Sequence, residues 1–233
     1  MVALLFFAFV FGLLYPTPYR ALLGVESVFL LVLVVDVVCG PLLTLILANP
    51  RKSRHERWLD FGLVGLIQTL ALAYGLYSVW IARPVVLAFE VDRFVVVTAN
   101  EVDVAALPKA PQNMRSLPFF GVRQVGTRAP DNSDEMLKSL EQQLGGLTPA
   151  MQPDWWVPWQ DKIQDMKARA KPLSELMARR PQDAQALREA ANAAKADPAK
   201  LFYLPLTSSK VKEWVALLDA DMKIVGYAPV DGF

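Results

Sequence analysis

Charge is spread along this chain so unevenly that it limits the fold before any motif is read. Residues 1–82 hold five of the 24 basic residues (Arg20, Arg51, Lys52, Arg54 and Arg57) and four of the 23 acidic ones (Glu26, Asp36, Glu56 and Asp60). The other 19 of each sign fall in residues 83–233. A mean hydropathy of +0.28 over 233 residues averages these two regimes. We read residues 1–82 as a membrane anchor and residues 83–233 as one aqueous domain. A net charge of +1 leaves no broad basic surface, which argues against nucleic acid as a partner. Cys39 is the single cysteine, so no disulfide forms within the chain.

Three apolar runs define the anchor. The first, about 2–15, ends at Pro16 and covers only about two thirds of a ~30 Å hydrocarbon core. It lacks a basic lead-in and a small-x-small cleavage site, so it is expected to be a short or truncated first span rather than a signal peptide. The second (27–48) and third (58–82) are long enough to cross. Between them, 49–57 reads Asn-Pro-Arg-Lys-Ser-Arg-His-Glu-Arg, whereas the connection 16–26 has Arg20 as its one basic residue. The positive-inside bias places 49–57 in the cytoplasm and the domain outside it, in the periplasm of a bacterium. Inverted topology is the alternative.

Asp36 and Gln68 lie mid-way in the second and third runs, within ~3 Å of the same depth. A carboxyl at that depth costs about 2.5–3.5 kcal/mol on insertion scales and requires a partner. Two readings stand: an Asp36–Gln68 bond between helices, or a polar docking point for a membrane helix of another protein. Gly40-Pro41 predicts a kink in the second span. Ala71-x-x-x-Gly75 offers a small-residue packing face on the third.

In the aqueous part, β-branched and aromatic runs over 85–98 around Val91-Asp92-Arg93 predict a hairpin that leaves the third span with little slack. Asn100 is expected to cap a short helix at 101–107, and 119–127 to form a third strand. Residues 131–135 start a helix whose apolar face is Met136, Leu137, Leu140 and Leu144, closed by Gly145-Gly146. From Trp159, apolar positions Ile163, Met166, Ala170, Leu173 and Met177 keep one helical stripe through Pro172, which predicts a single kinked helix. An Ala-rich surface helix follows from 181 to about 196. Strands close the chain at 201–207, 212–218 and 223–230, with a turn at Asp219-Ala220-Asp221. The expected domain is α+β with a mainly antiparallel sheet.

Catalytic chemistry has little to work with. His55 is the only histidine and sits in the basic loop, so no Ser-His or Cys-His pair forms in the aqueous domain. No metal-ligand spacing occurs, and no cofactor or catalytic residue is expected. Gly121-x-x-x-x-Gly126 lacks the Lys-Ser/Thr of a phosphate loop and fits a bulge or close packing instead. The most unusual stretch is 153–159, Pro-Asp-Trp-Trp-Val-Pro-Trp, with three of the six tryptophans. Trp155, Trp156 and Trp159 are open to three readings: a partner-binding ridge, an interfacial membrane anchor, or a cover for the sheet.

Taken together, Val35-Asp36-Val37-Val38-Cys39-Gly40-Pro41-Leu42-Leu43-Thr44, Ala82-Arg83-Pro84, Phe89-Glu90-Val91-Asp92-Arg93-Phe94, Tyr203-Leu204-Pro205-Leu206 and Leu217-Leu218-Asp219 resemble the TfpX/TfpZ-like type IV pilin accessory proteins over essentially the whole chain. The resemblance implies a multi-pass inner-membrane protein, not an enzyme, that assists a cognate type IV major pilin during pilus assembly. On that expectation Asp36 and Gln68 meet the pilin's membrane helix, and the 153–159 ridge or an exposed sheet edge meets its head. A membrane-anchored periplasmic sensor or ligand-binding domain is the alternative, although a cytoplasmic loop of about nine residues is too short to carry an output.

Overall fold

A computed structural model describes residue 12, residues 14–25, residue 30 and residues 54–233. The second apolar run, with Asp36, Cys39 and Gly40-Pro41, and most of the first lie outside the described residues.

A short helix α1 (Tyr19–Leu22) precedes α2 (Arg54–Ile81). The stretch Trp58–Ile81 of α2 is long and apolar enough to cross a membrane. Most of its large side chains are exposed, Leu63, Leu66, Leu70 and Tyr74 among them. Its less exposed positions, Val64, Gln68, Leu72, Gly75 and Val79, follow helical spacing and form one stripe. Gln68 is on that stripe and half-buried.

Only Ala82 and Arg83 separate α2 from β1 (Pro84–Glu90), so the helix enters the sheet without slack. The hairpin with β2 (Arg93–Thr98) forms as expected, with Val91 at φ 60 in its tight turn. Then come β3 (Arg123–Thr127), α3 (Ser133–Leu144), β4 (Trp156–Pro158), α4 (Ile163–Arg169), β5 (Lys171–Pro172), α5 (Leu173–Arg179), α6 (Ala184–Ala193), β6 (Phe202–Thr207), β7 (Trp214–Leu218) and β8 (Ile224–Ala228). The sheet runs β4-β3-β1-β2-β6-β7-β8, with β5 paired to β6. β1 with β3 and β2 with β6 are parallel and the other pairings antiparallel, so the sheet is mainly antiparallel.

Alternation along the strands sends side chains to two faces. Leu87, Phe89, Phe94, Val96, Leu204, Leu206, Ala216 and Leu218 form one core, and residues from 14–25 complete it: Tyr15, Tyr19, Leu22, Leu23 and Val25 are all buried there. On the other face, Val86, Ala88 and Val97 pack with Met114, Ala150 and Trp156, while Tyr203, Val215 and Leu217 pack with Leu173, Leu176, Leu187 and Ala191.

Several local expectations are corrected. Asn100 accepts a bond from Thr98 Oγ1 at 2.8 Å; Asp103 caps the following turn, a 3-10 helix at Val104–Lys109. The third strand starts at Arg123, leaving Phe119 and Phe120 in an exposed loop before it. Pro172 does not kink one helix. It ends α4 and pairs with Phe202 through β5 before α5 begins, because proline has no amide hydrogen to continue the helical ladder. The Ala-rich helix is half sunk, with Leu187 and Ala191 buried. Gly126 is a close-packing position, since a Cβ there would lie 2.3 Å from Lys162 Cγ. Asp219 Oδ1 accepts from the amides of Asp221 and Lys223, both at 2.9 Å, which makes 219–223 the expected turn.

Candidate functional site

The tryptophan-rich segment does not form an exposed ridge. Trp156 is 2% exposed and its Nε1 donates to Ala150 O at 2.9 Å. Trp159 stacks on Phe94 at 5.3 Å, with 17° between the planes, and packs against the core under 14–25. Trp155 is 4% exposed and serves as a platform: the Arg128 guanidinium lies 4.5 Å above its ring. A pair of prolines bends this segment so that its rings turn inward over the sheet edge, where burying large aromatic surface is most favourable. Trp155 and Trp156 are buried and Trp159 is half-buried, a placement that fits the cover for the sheet among the three readings. Of the two mid-span residues, Gln68 lies on the covered stripe of α2, and Asp36 lies outside the described residues.

What Trp155 and Arg128 support is α3. Arg128 Nη1 and Nη2 donate to Glu135 Oε2 and Oε1 at 2.9 and 2.6 Å, a two-pronged pairing. Glu135 Oε2 also accepts from the Asp131 amide at 2.6 Å, and Asn132 Oδ1 accepts from the Glu135 amide at 2.8 Å. These reciprocal bonds satisfy the free amides of the helix start. The Arg128 bonds, then the Asp131 amide, pull the Glu135 carboxyl down to about 2. A depressed carboxylate stabilises the fold above its ordinary value near ~4.3 and loses that contribution as pH falls toward the lowered one. At neutral pH the clasp on α3 is therefore fully in force.

Held in this way, α3 turns its apolar face outward. Met136, Leu137, Leu140 and Leu144 are 54%, 66%, 49% and 91% exposed, and the one buried residue of the helix is Ser139. Sequence periodicity identified the face; it carries no sign for in or out, because the deciding contacts come from Arg128 and Trp155 far from the helix's own pattern. The Thr127 hydroxyl donates to Phe89 O at 3.0 Å, and Glu90 Oε2 accepts from the Ala150 amide at 2.8 Å. Both connections of α3 thus join the sheet at the end of β1 remote from α2. Seven residues of β1 span about 20 Å at ~3.3 Å each.

A second exposed cluster lies at the opposite end. Phe119 and Phe120 are 64% and 50% exposed, and the Phe119 ring is 4.5 Å from Trp80 in the last turn of α2. A third feature ties these parts into one body. Tyr15 Oη donates to Val79 O at 2.9 Å, Ser208 Oγ donates to Leu22 O at 2.7 Å, and Tyr19 packs 6.4 Å from Tyr227. Residues 14–25 are therefore on the same side of α2 as the sheet. None of these arrangements brings together a nucleophile, a base and an electrophile; what the described residues offer is apolar surface on a rigid frame.

Comparison with known proteins agrees with the family that the motifs resemble. The chain is 35% identical, over all of its length and 91% of the relative's, to the fimbrial assembly protein of serogroup I of Dichelobacter nodosus. It is 34% identical to the serogroup E1 fimbrial assembly protein of that organism, with the same coverage. With the protein of serogroups C1 and C2 it shares 40% identity over 109 residues, 47% of this chain and 83% of that one. No protein-family model and no solved structure matches the chain.

Proposed function

The chain belongs to the family of the fimbrial assembly proteins, the type IV pilin accessory family, and takes part in pilus assembly; from that premise we propose that it is an inner-membrane helper that holds a cognate major pilin before assembly. A pilin awaiting assembly has an apolar helix in the bilayer and a folded head outside it. A helper that grips both at once gains avidity from two weak contacts, each of which can still be released. Here α2 and the neighbouring spans would meet the pilin helix, with Asp36 and Gln68 as the polar contacts at mid-span. The outward face of α3, about 20 Å from the end of α2, would meet the head.

The observation that carries this reading is the burial of 14–25 in the core of the domain. On the sequence reading, two crossings, 27–48 and 58–82, would separate these two parts of the chain. Their union on one side is what an even number of crossings requires, and it supports the basic loop 49–57 standing alone on the other. Among described residues, the mostly exposed apolar surface of α2 points the same way, because a soluble domain rarely leaves so large a patch in water.

The sensor reading has one observation in its favour, a cavity of about 320 Å³ between α2, residues 15–25 and the ends of β2 and β6. Its carboxylate, Glu101, is already engaged by the Thr98 amide and hydroxyl at 2.8 and 2.7 Å. Single cysteines placed at Thr17, His55 and Leu140 of a Cys39→Ser chain distinguish the topologies. An impermeant maleimide applied to intact spheroplasts is expected to label positions 17 and 140, and position 55 only after lysis. Labelling of 55 alone before lysis would place the domain in the cytoplasm and end the proposal.

A further inference from the structure

We infer that the loop 118–121 inserts into the headgroup layer of the bilayer and fixes the tilt of the domain on its anchor. This inference rests on α2 being a membrane span, and it adds a lipid contact that the pilus role does not require. Trp80 is one residue from the end of the apolar stretch Trp58–Ile81, the level at which tryptophan rings gather at the membrane surface. Phe119 lies 4.5 Å from Trp80 and Phe120 packs edge-on against Phe119 at 4.7 Å, so two exposed aromatic rings sit at that same level.

The loop is strapped there rather than loosely adjacent. The Arg83 guanidinium lies 4.0 Å over the Trp80 ring, donates to Trp80 O at 2.9 Å and to Pro118 O at 3.2 Å. Gly121, at φ 75, supplies the left-handed turn that returns the chain to β3. Arg123 is braced against the same loop by a 2.6 Å bond to Ser116 O.

Charge identifies the occupant. From Val104 to Gln124 the chain carries Lys109, Arg115 and Arg123 and no acidic residue. Exposed aromatics flanked by arginines fit the boundary between acyl chains and anionic headgroups, where the rings are dehydrated and the guanidiniums meet phosphate. The outward face of α3 lacks this setting, being rooted about 20 Å away along β1.

The test uses the full chain with Cys39→Ser, reconstituted in vesicles of phosphatidylethanolamine and phosphatidylglycerol. A nitroxide is attached at Phe120→Cys, Leu70→Cys or Leu140→Cys in separate samples. Collision rates with oxygen, which concentrates in lipid, and with a neutral nickel chelate, which stays in water, report depth. The expected result is a Phe120 label that favours oxygen over nickel as the Leu70 label does, while the Leu140 label favours nickel. A Phe120 label as nickel-accessible as Leu140, with Leu70 still in lipid, overturns the inference and leaves the membrane reading standing. A nickel-accessible Leu70 label overturns both. If Phe120→Cys does not fold, Phe119→Cys gives the same readout.

Discussion

Replacing Leu22 by Ala is expected to destabilise the sheet domain by about 2–5 kcal/mol, although Leu22 belongs to a short segment before two membrane-length runs. Leu22 is 0% exposed and shares a core with Leu87, Phe94 and Leu206 of the central strands. Truncating it removes transfer free energy and leaves a cavity that the neighbouring strands, hydrogen-bonded on both sides, cannot close. Leu22→Met keeps the volume and should cost less than about 1.5 kcal/mol. Tryptophan fluorescence of the detergent-solubilised chain during denaturant unfolding measures both, since Trp159 lies against the same core. A Leu22→Ala change within about 0.5 kcal/mol, the range of an ordinary surface substitution, would mean that 14–25 does not belong to the domain in solution.

Placing charge on α3 has the opposite profile. Leu137→Glu with Leu140→Glu changes two residues that are 66% and 49% exposed, so unfolding should shift by no more than about 0.5 kcal/mol per site. Binding should collapse. Apolar side chains at the centre of an interface contribute about 2 kcal/mol or more when they are hot spots, so losing one such contact weakens binding roughly 30-fold. Co-purification of pilin with the variant and counts of surface pili are the readouts. Wild-type piliation with a stable double variant would remove α3 from the mechanism. Loss of piliation together with loss of the fold would instead assign α3 a structural role, and Glu135→Gln, which weakens its clasp without touching the apolar face, separates the two.

The parts of this fold that were legible in the sequence are those set by local pattern. The hairpin at β1 and β2 followed from two β-branched runs around a polar break. The ends of α3 followed from the polar run 131–135 at one end and Gly145-Gly146 at the other. The turn at Asp219 followed from a side chain that bonds amides two and four residues on. The parallel pairing of β1 with β3 and the division of one helical stripe into α4 and α5 were not legible, because each depends on a strand far away in the chain. Pro172 preserves helical phase across a break, and periodicity reads through it.

The least legible element is the one on which the proposed function rests most. Residues 16–26 read as a plain connection between spans, yet Tyr15, Tyr19 and Leu22 are spaced by four and three, the stripe of a helix turned toward a core. That spacing was the available signal, obscured by the apolar runs on either side. The 153–159 tryptophans were open to several readings in the sequence, a cover for the sheet among them. Their composition matched an interface, but their neighbours on β1, β2 and β3 had open faces to fill, and buried aromatic surface is worth more there than in water. The exposed apolar surface fell instead to α3 and to Phe119-Phe120, two places where sequence identifies amphipathic or aromatic residues but not the side that remains uncovered.

A photoreactive residue at position 140, in cells that make the cognate pilin, tests the central claim most directly. Leu140 lies on the outward face of α3, and Lys200, exposed on a different part of the domain, serves as the comparison. The account predicts a crosslinked adduct containing pilin from position 140 and none from position 200. Pilin captured from 200 and not from 140, or from neither while the two proteins still co-purify, would contradict it.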